Sequence, residues 1–507
     1  LIFLSQNGIT SVASDVTVVL FLVLMTIGTI LAVIYFLCKY SQDGSPVRKK
    51  KSVIAIIIAV GAAVRIIFAM CIRGYREDYD LFADMFKHLG AEGLDGYYTG
   101  KPDAVLYPLV YVVYLLFGGI SYVTGLSDFA LGAQFMIKLP LIAADILIAY
   151  GIYKIARKYF NERTALVLFA FVCACPAFFI ASAVWTSPIV FTALFAVWGC
   201  YFLARKKYGL TIGFFTAAAF ASKEGIFLFP VAAVFSGYHF VKAAINVHKD
   251  KPSGKAVADG RYSAIYEVPC AFIGSIAVAY LLGLLMTYSY SYDPFKYIYE
   301  FTVSPLVNWD FFTFNGLSVY SLFNQNGQEA GARFPSWVFA CVFAAIISAV
   351  VCIVYFSKRN RATMVMLAAY SLFTLSVYYP GMNAAVMILS LAALGCAYAL
   401  VKDKRLLHVL FLTCITYVVN SSSVLANAGY LNNLADYVFS DPSYTGSILM
   451  SGGVNAVCIT CSALVVLAHL YFTVVTVSVG MTGQKKMLNA CNGFDASLRE
   501  FFTVRRG

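Results

Sequence analysis

Residues 52–82 read SVIAIIIAVGAAVRIIFAMCI followed by RGYREDYDLF, and this stretch sets both the class of the protein and the place of its chemistry. The first part carries one charge, Arg65, in an apolar run long enough to cross a hydrocarbon core, which takes ~20 residues at 1.5 Å each. The second part brings Glu77, Asp78 and Asp80 directly behind that run. A membrane span that opens onto a group of carboxylates places acidic side chains at the edge of the bilayer.

The rest of the chain repeats the first half of that pattern. Of 507 residues, 61% are hydrophobic and 12% charged, with a mean hydropathy of +0.78, whereas a soluble domain carries about 25% charged residues. Further apolar runs occupy residues 16–40, 135–156, 164–183, 188–204, 210–221, 227–241, 268–288, 337–356, 363–378, 385–401, 406–419 and 454–477. The expected fold is therefore an all-α polytopic membrane protein of about thirteen transmembrane helices. The net charge of +12 comes from short basic loops at residues 48–51, 154–163, 205–207, 242–255, 358–361, 402–405 and 485–506. Basic loops of this kind mark the cytoplasmic side and give no nucleic-acid footprint. The thirteen cysteines fall mostly inside apolar runs without metal-ligand spacing, as small core residues do.

Residues 106–124 break the alternation. A crossing there would place Arg157 and Lys158 outside, so the segment is expected to be an interfacial or re-entrant helix of the first external loop. The organisation expected is an extra N-terminal span over residues 1–51, a transmembrane domain over 52–480 and a cytoplasmic tail over 481–507. External loops fall at 73–134, 289–336 and 420–453. Loops longer than ~15 residues are usually functional when ordered, and these are rich in aromatic residues.

Charge inside a span costs roughly 2.5–3.5 kcal/mol at a helix centre, so each instance asks for a partner or a function. Here they are Arg65, Lys138 and Asp145, with Lys223 and Glu224 near a helix end. Lys138 and Asp145 are two helical turns apart and share one face. An internal ion pair of Asp145 with Arg65 or Lys138 is the plain reading. The functional one is that Arg65, Lys138 and Lys223 hold a phosphate at the membrane surface. Behind the first-loop acids, Phe82, Met85, Phe86 and Leu89 form one apolar helical face suited to lying on the bilayer. No phosphate-binding loop, dinucleotide fingerprint, His-Glu-x-x-His or Gly-x-Ser-x-Gly occurs. Of the five histidines, His88 alone lies in the first external loop. No cofactor is indicated, and a divalent metal is allowed but not indicated.

The order of these residues resembles the GT-C superfamily of glycosyltransferases, and within it the prokaryotic relatives of GPI mannosyltransferase II. Asp78 with Phe82, Gly96-Tyr97-Tyr98, Tyr107-Pro108, Lys138-Leu139-Pro140 with Asp145, and Pro176, Ala177, Ser182 and Trp185 follow the family's motifs in register. So do Ser222-Lys223-Glu224-Gly225 with Phe229-Pro230, and Phe312-Thr313-Phe314-Asn315 running into Tyr320, Leu322 and Asn326. The similarity spans roughly residues 52–400. It implies a GT-C-like fold with juxtamembrane helices in the first external loop. It also implies an inverting transfer of a monosaccharide, mannose or another hexose or pentose, from a polyprenyl-phosphate carrier to a glycan or glycolipid acceptor outside the cytoplasm. Asp78 would be the base, with Glu77 and Asp80 beside it, and Arg65, Tyr107, Lys138, Asp145, Trp185, Lys223, Glu224 and Asn315 would bind substrate. The partners implied are the lipid-linked sugar, the acceptor and membrane lipids, in a prokaryotic plasma membrane or, alternatively, the endoplasmic reticulum.

Two departures stand out. Thr186-Ser187-Pro188-Ile189 follows Trp185 where the family has Gly-Gln-x-Asp, and Met382-Asn383-Ala384-Ala385-Val386 stands for its Met-His-Glu-Arg-Tyr. A transporter or flippase of lipid or sugar, or a non-catalytic GT-C-like subunit, are the alternatives. The topology predicts that cysteines introduced within residues 289–336 react with an impermeant thiol reagent applied from outside, while those within 485–506 do not. The reverse labelling would invert it.

Overall fold

The computed structural model describes residues 8–40, 47, 49–91, 107–126, 130–249, 263–287, 293–307, 311–328, 336–358, 361–427 and 452–482. Long helices dominate them. They are α1 (Gly8–Tyr40), α2 (Lys50–Cys71), α3 (Arg76–Ala91), α4 (Pro108–Val123), α5 (Ala130–Tyr159), α6 (Glu162–Ala174), α7 (Pro176–Phe179), α8 (Ile189–Ala204), α9 (Tyr208–Ala221) and α10 (Phe229–Lys249). Beyond these lie α11 (Ser263–Thr287), α12 (Ser336–Lys358), α13 (Arg361–Tyr378), α14 (Met387–Val401), α15 (Lys404–Asn427) and α16 (Gly452–Val477). The sole sheet among the described residues pairs Thr313–Phe314 in parallel with Met382–Asn383.

Among the described residues, eight helices are long and apolar enough to cross a membrane, or nine if the bent pair Glu162–Ala174 and Pro176–Trp185 counts as one span. That pair bends by 59° because Pro176 opens α7 behind an extended Cys175, where a proline cannot continue the preceding hydrogen-bond ladder. The all-helical polytopic architecture expected from the apolar runs is the one observed.

Burial sorts the helices into a centre and a periphery. Every residue of α14, MILSLAALGCAYALV, is buried, as a helix hydrophobic on all sides requires. It packs against α5, α8, α13 and α15. In α1, α2 and α11, by contrast, large apolar side chains such as Leu24, Ile56 and Phe272 point outward, which is the surface a bilayer covers.

Two helices differ from their sequence reading in an informative way. The apolar face of α3 forms as expected, but Phe82 and Met85 are fully buried and Phe86 nearly so. They lie against protein and not against a bilayer surface, for Phe82 stacks on Tyr114 of α4 with centroids 4.1 Å apart. Helix α4 itself spans 16 residues, about 24 Å, less than the ~30 Å of a hydrocarbon core. Helix α15 continues to Asn427, well past the apolar run 406–419. The polar residues that end the run in sequence are satisfied inside the bundle: Ser422 donates to the Val418 carbonyl at 2.5 Å, and Asn420 donates to the Asn315 carbonyl at 2.9 Å. The segment expected as the third external loop therefore begins as helix; its residues 428–451, like Gly96-Tyr97-Tyr98 and the tail from 483, lie outside the described residues.

The end of α2 is tied into this frame by α5. Gln134 donates to the carbonyls of Ala69 at 2.6 Å and Ile72 at 3.2 Å. One turn on, the Lys138 ammonium is held by the carbonyls of Ile72 and, at 2.8 Å, Ala183. A cation and an amide thus satisfy carbonyls that a helix leaves open at its C-terminus. Two further turns along α5, Asp145 accepts from Arg65 Nε at 2.8 Å and from the Ser182 hydroxyl at 2.8 Å. The remaining Arg65 donors reach the carbonyls of Gly61 at 3.1 Å and Cys173 at 2.5 Å. Arg65 and Asp145 are fully buried.

Removing one member of such a pair strands a buried charge, at a cost of about 3–5 kcal/mol. Arg65→Met and Asp145→Leu should each lower the thermal stability of the purified protein sharply, and the double variant should recover most of the loss. Additive losses in the double variant would show that the two residues are not coupled.

Candidate functional site

Position and strain begin at the turn after α2. Gly74 adopts φ +110°, a conformation side chains disfavour, and a Cβ there would also approach the Trp185 carbonyl to 2.8 Å. The close approach is used: the Tyr75 amide donates to the Trp185 carbonyl at 2.9 Å. From the other side Thr186, itself left-handed at φ 73°, donates its hydroxyl to the Arg73 carbonyl at 3.2 Å. The π-helical segment Ile180–Trp185 is meanwhile fixed by Lys138 at Ala183 and by Asp145 at Ser182. Loop and π-segment are thereby locked together one helical turn before Asp78.

Asp78 is the carboxylate this lock presents. Trp185 Nε1 donates to Asp78 Oδ2 at 3.2 Å. The indole is itself buried and stacks on Tyr75 with centroids 4.8 Å apart. Tyr114 lies within electrostatic reach of Asp78 and donates its hydroxyl to the Ile137 carbonyl at 2.8 Å. One oxygen of Asp78 is thus oriented by an indole while the residue stays half-buried, in walls of Tyr75, Trp185 and Tyr114. Asp80 has a different setting. It pairs with Arg73 at 3.1 Å, and that guanidinium lies over the Tyr79 ring at 4.5 Å. Glu77 falls in the first turn of α3, with its side chain outside the described atoms.

A second cluster forms at the N-terminal end of α4. The chain between α9 and α10 tightens into the 3-10 turn Lys223–Leu228, in which Glu224 is buried and Lys223 half-buried. Tyr107, just before α4, is hydrogen-bonded to the Lys223 backbone, and burial followed by the nearby Glu224 carboxylate pushes its hydroxyl well above the usual phenol range. Tyr379, in the turn after α13, is pushed up by burial first and then by the same Glu224. Lys223 Nζ lies 3.5 Å from the Gly381 carbonyl, at the outer limit of a hydrogen bond. Tyr107 and Tyr114 are seven residues apart on one face, so the two clusters lie about 10 Å apart along α4.

Asn315 anchors the loop that closes on this second cluster. It is left-handed at φ 55°, and its amide donates to Asn326 Oδ1 at 2.6 Å while Asn326 Nδ2 donates back to Asn315 Oδ1 at 2.8 Å. With Asn420 on its carbonyl, Asn315 ties the loop to α15. The neighbouring Tyr320 hydroxyl is pushed up to about 12 by burial.

The residues singled out from sequence thus fall into three groups. Asp78 and Trp185 touch; Tyr107, Lys223 and Glu224 form a cluster near them; Arg65, Asp145 and Lys138 lie beneath, fully buried and engaged with one another or with backbone carbonyls. Arg65 with Asp145 is the internal ion pair of the plain reading, and Lys138 is paired to carbonyls, not to a carboxylate. Tyr75, Tyr114, Gln134 and Tyr379 were not singled out. Gln134 shares the helical face of Lys138 and Asp145, a spacing that could have revealed it; the aromatic residues carry no signal that separates them from the many others. Among the described residues, no three His, Cys, Asp or Glu side chains come together as a metal site.

Residues 120–257 match the family model described as dolichyl-phosphate-mannose-protein mannosyltransferase, about a quarter of the chain. The matched segment holds Lys138, Asp145, Trp185, Lys223 and Glu224, while Asp78 precedes it. No curated protein and no solved structure is significantly similar to the chain. The match supports a GT-C-type glycosyltransferase and does not extend to the GPI mannosyltransferase II relation that the motifs resemble.

Proposed function

We propose that the protein is a membrane glycosyltransferase that moves a sugar from a polyprenyl-phosphate carrier to a hydroxyl acceptor, with Asp78 as the base. The observation that carries this reading is the half-buried Asp78 carboxylate, oriented by Trp185 Nε1 where α2 ends. In the reaction the acceptor oxygen attacks the anomeric carbon as its proton passes to Asp78. The bond from that carbon to the phosphate oxygen breaks, and the phosphate leaves with the electron pair. A phosphate on a lipid is already a good leaving group, so a positioned base, a cation and exclusion of water suffice. Lys223 is the cation suited to the leaving phosphate, since it is half-buried beside Glu224 and carries a full positive charge on a flexible stem. The aromatic walls around Asp78 exclude water, and Tyr107 and Glu224 stand beside Lys223 in the second cluster.

The matched family's name points to mannose on a dolichyl-type phosphate, and we take a mannosyl or related donor and a glycan or protein acceptor as the substrates. The reaction is assigned to the extracytoplasmic face because the basic loops lie at the other end of the helices. Asp80, engaged by Arg73, supports the turn and does not serve as base.

Purified protein assayed with polyprenyl-phosphate-mannose should lose about 10² to 10⁴ of its transfer rate in Asp78→Asn, with folding and carrier binding retained. Asp80→Asn should keep most of the rate. Transfer at the parental rate by Asp78→Asn would overturn the assignment, and abolition by Asp80→Asn alone would move the base to that residue.

A further inference from the structure

A groove outside the candidate site lies at the opposite end of the bundle. Helices α1, α2 and α6 enclose a groove of about 440 Å³. Its walls are one face of α1, with Thr29, Val33, Phe36 and Tyr40, and one face of α6, with Ala170 and Phe171. From Thr29 to Tyr40 is eleven residues, about 16 Å of helix, or half of a ~30 Å hydrocarbon core. The groove therefore has the depth of one leaflet, and its walls are apolar throughout that depth.

Its mouth is of another character. Arg163 lines it and lies over the Tyr40 ring at 5.4 Å, while Asn161 Nδ2 donates to the Tyr40 carbonyl at 2.8 Å and ties the two walls together. Around it stand Lys50, Lys154 and Arg157, close enough to act on one another electrostatically. The acidic residue among them is Glu162, which pairs with Lys50. Among the described residues there, one carboxylate stands against the cations Lys50, Lys154, Arg157 and Arg163, so the rim is complementary to a negative head group and the slot to an acyl chain.

We infer that this groove binds one anionic phospholipid from the leaflet at the basic end, its acyl chain between α1 and α6 and its phosphate at Arg163. The site is remote from Asp78, since α2 separates Lys50 from the catalytic end by its whole length of 22 residues, about 33 Å. The inference is therefore independent of the reading given for Asp78. The bound lipid would fasten α1 to α6, the helix that leads into the π-segment behind Trp185.

The test is native mass spectrometry of the full chain, delipidated in detergent and given equimolar palmitoyl-oleoyl phosphatidylglycerol or phosphatidylcholine. One phosphatidylglycerol should be retained in clear preference to phosphatidylcholine. Arg163→Gln should reduce that preference about fivefold, the effect of one basic residue near an anionic head group. Ala170→Trp, which fills the slot, should abolish retention of the single lipid. Ala32→Trp, on the exposed flank of the groove, gives the same readout without entering the bundle interior. Equal retention of both lipids would overturn the inference. So would phosphatidylglycerol binding that survives both tryptophan variants, since the lipid would then sit on the basic surface outside the groove.

Discussion

Buried polar groups of α2, the Arg65 guanidinium and the open carbonyls at the helix end, are the constraint on which the rest of the site depends. Three groups on one face of α5 meet it: Gln134, Lys138 and Asp145. A bare ammonium in an apolar interior is costly, and Lys138 is tolerated because two carbonyls converge on it. Those carbonyls belong to different elements, the end of α2 and the π-segment. The same desolvated cation therefore fixes the distance between the turn that leads to Asp78 and the segment that carries Trp185. Arg65, Asp145 and Ser182 repeat the connection one layer deeper, so two independent ties hold the same pair of segments.

This arrangement gives the end of the bundle that carries Asp78 a rigid floor and leaves its upper parts on loops. Asp78 stands on a helix whose apolar face is buried against Tyr114, and the turn before it is clamped from both sides of Gly74. The second cluster is built differently, from a 3-10 turn, the start of α4 and the turn after α13. Its polar groups are phenols, one carboxylate and one lysine; the Tyr379 hydroxyl among them donates to the Leu306 carbonyl, and Lys223 Nζ lies 3.5 Å from the Gly381 carbonyl. Orientation of Asp78 is thus a property of the frame, whereas the cluster around Glu224 is carried by turns.

The helical, membrane-spanning nature of the chain was legible because apolar runs of the right length leave little else to form. The amphipathic face of α3 was equally plain, but the period that reveals an apolar face does not say what covers it, and Tyr114 took the place assigned to lipid. The fate of Lys138 was hidden for a related reason. An intramembrane cation announces that it needs a partner, yet its partners are the carbonyls of Ile72 and Ala183, and a carbonyl has no signature in sequence. The ion pair of Arg65 and Asp145 could be read as one of two pairings because both members are charged. The extension of α15 through Asn420 and Ser422 was missed since polar residues end an apolar run, whereas in the bundle they bond to a preceding carbonyl or to Asn315.

The ion pair also imposes an order on how the chain is made. Arg65 and Asp145 are 80 residues apart in sequence, so at ~5–20 residues per second of synthesis the arginine emerges roughly 4–16 s before its carboxylate. Until then α2 carries an uncompensated charge near its middle, which the bilayer opposes by a few kcal/mol. The apolar length of α2 outweighs that cost for insertion, but the helix reaches its full stability only when α5 arrives to supply the carboxylate.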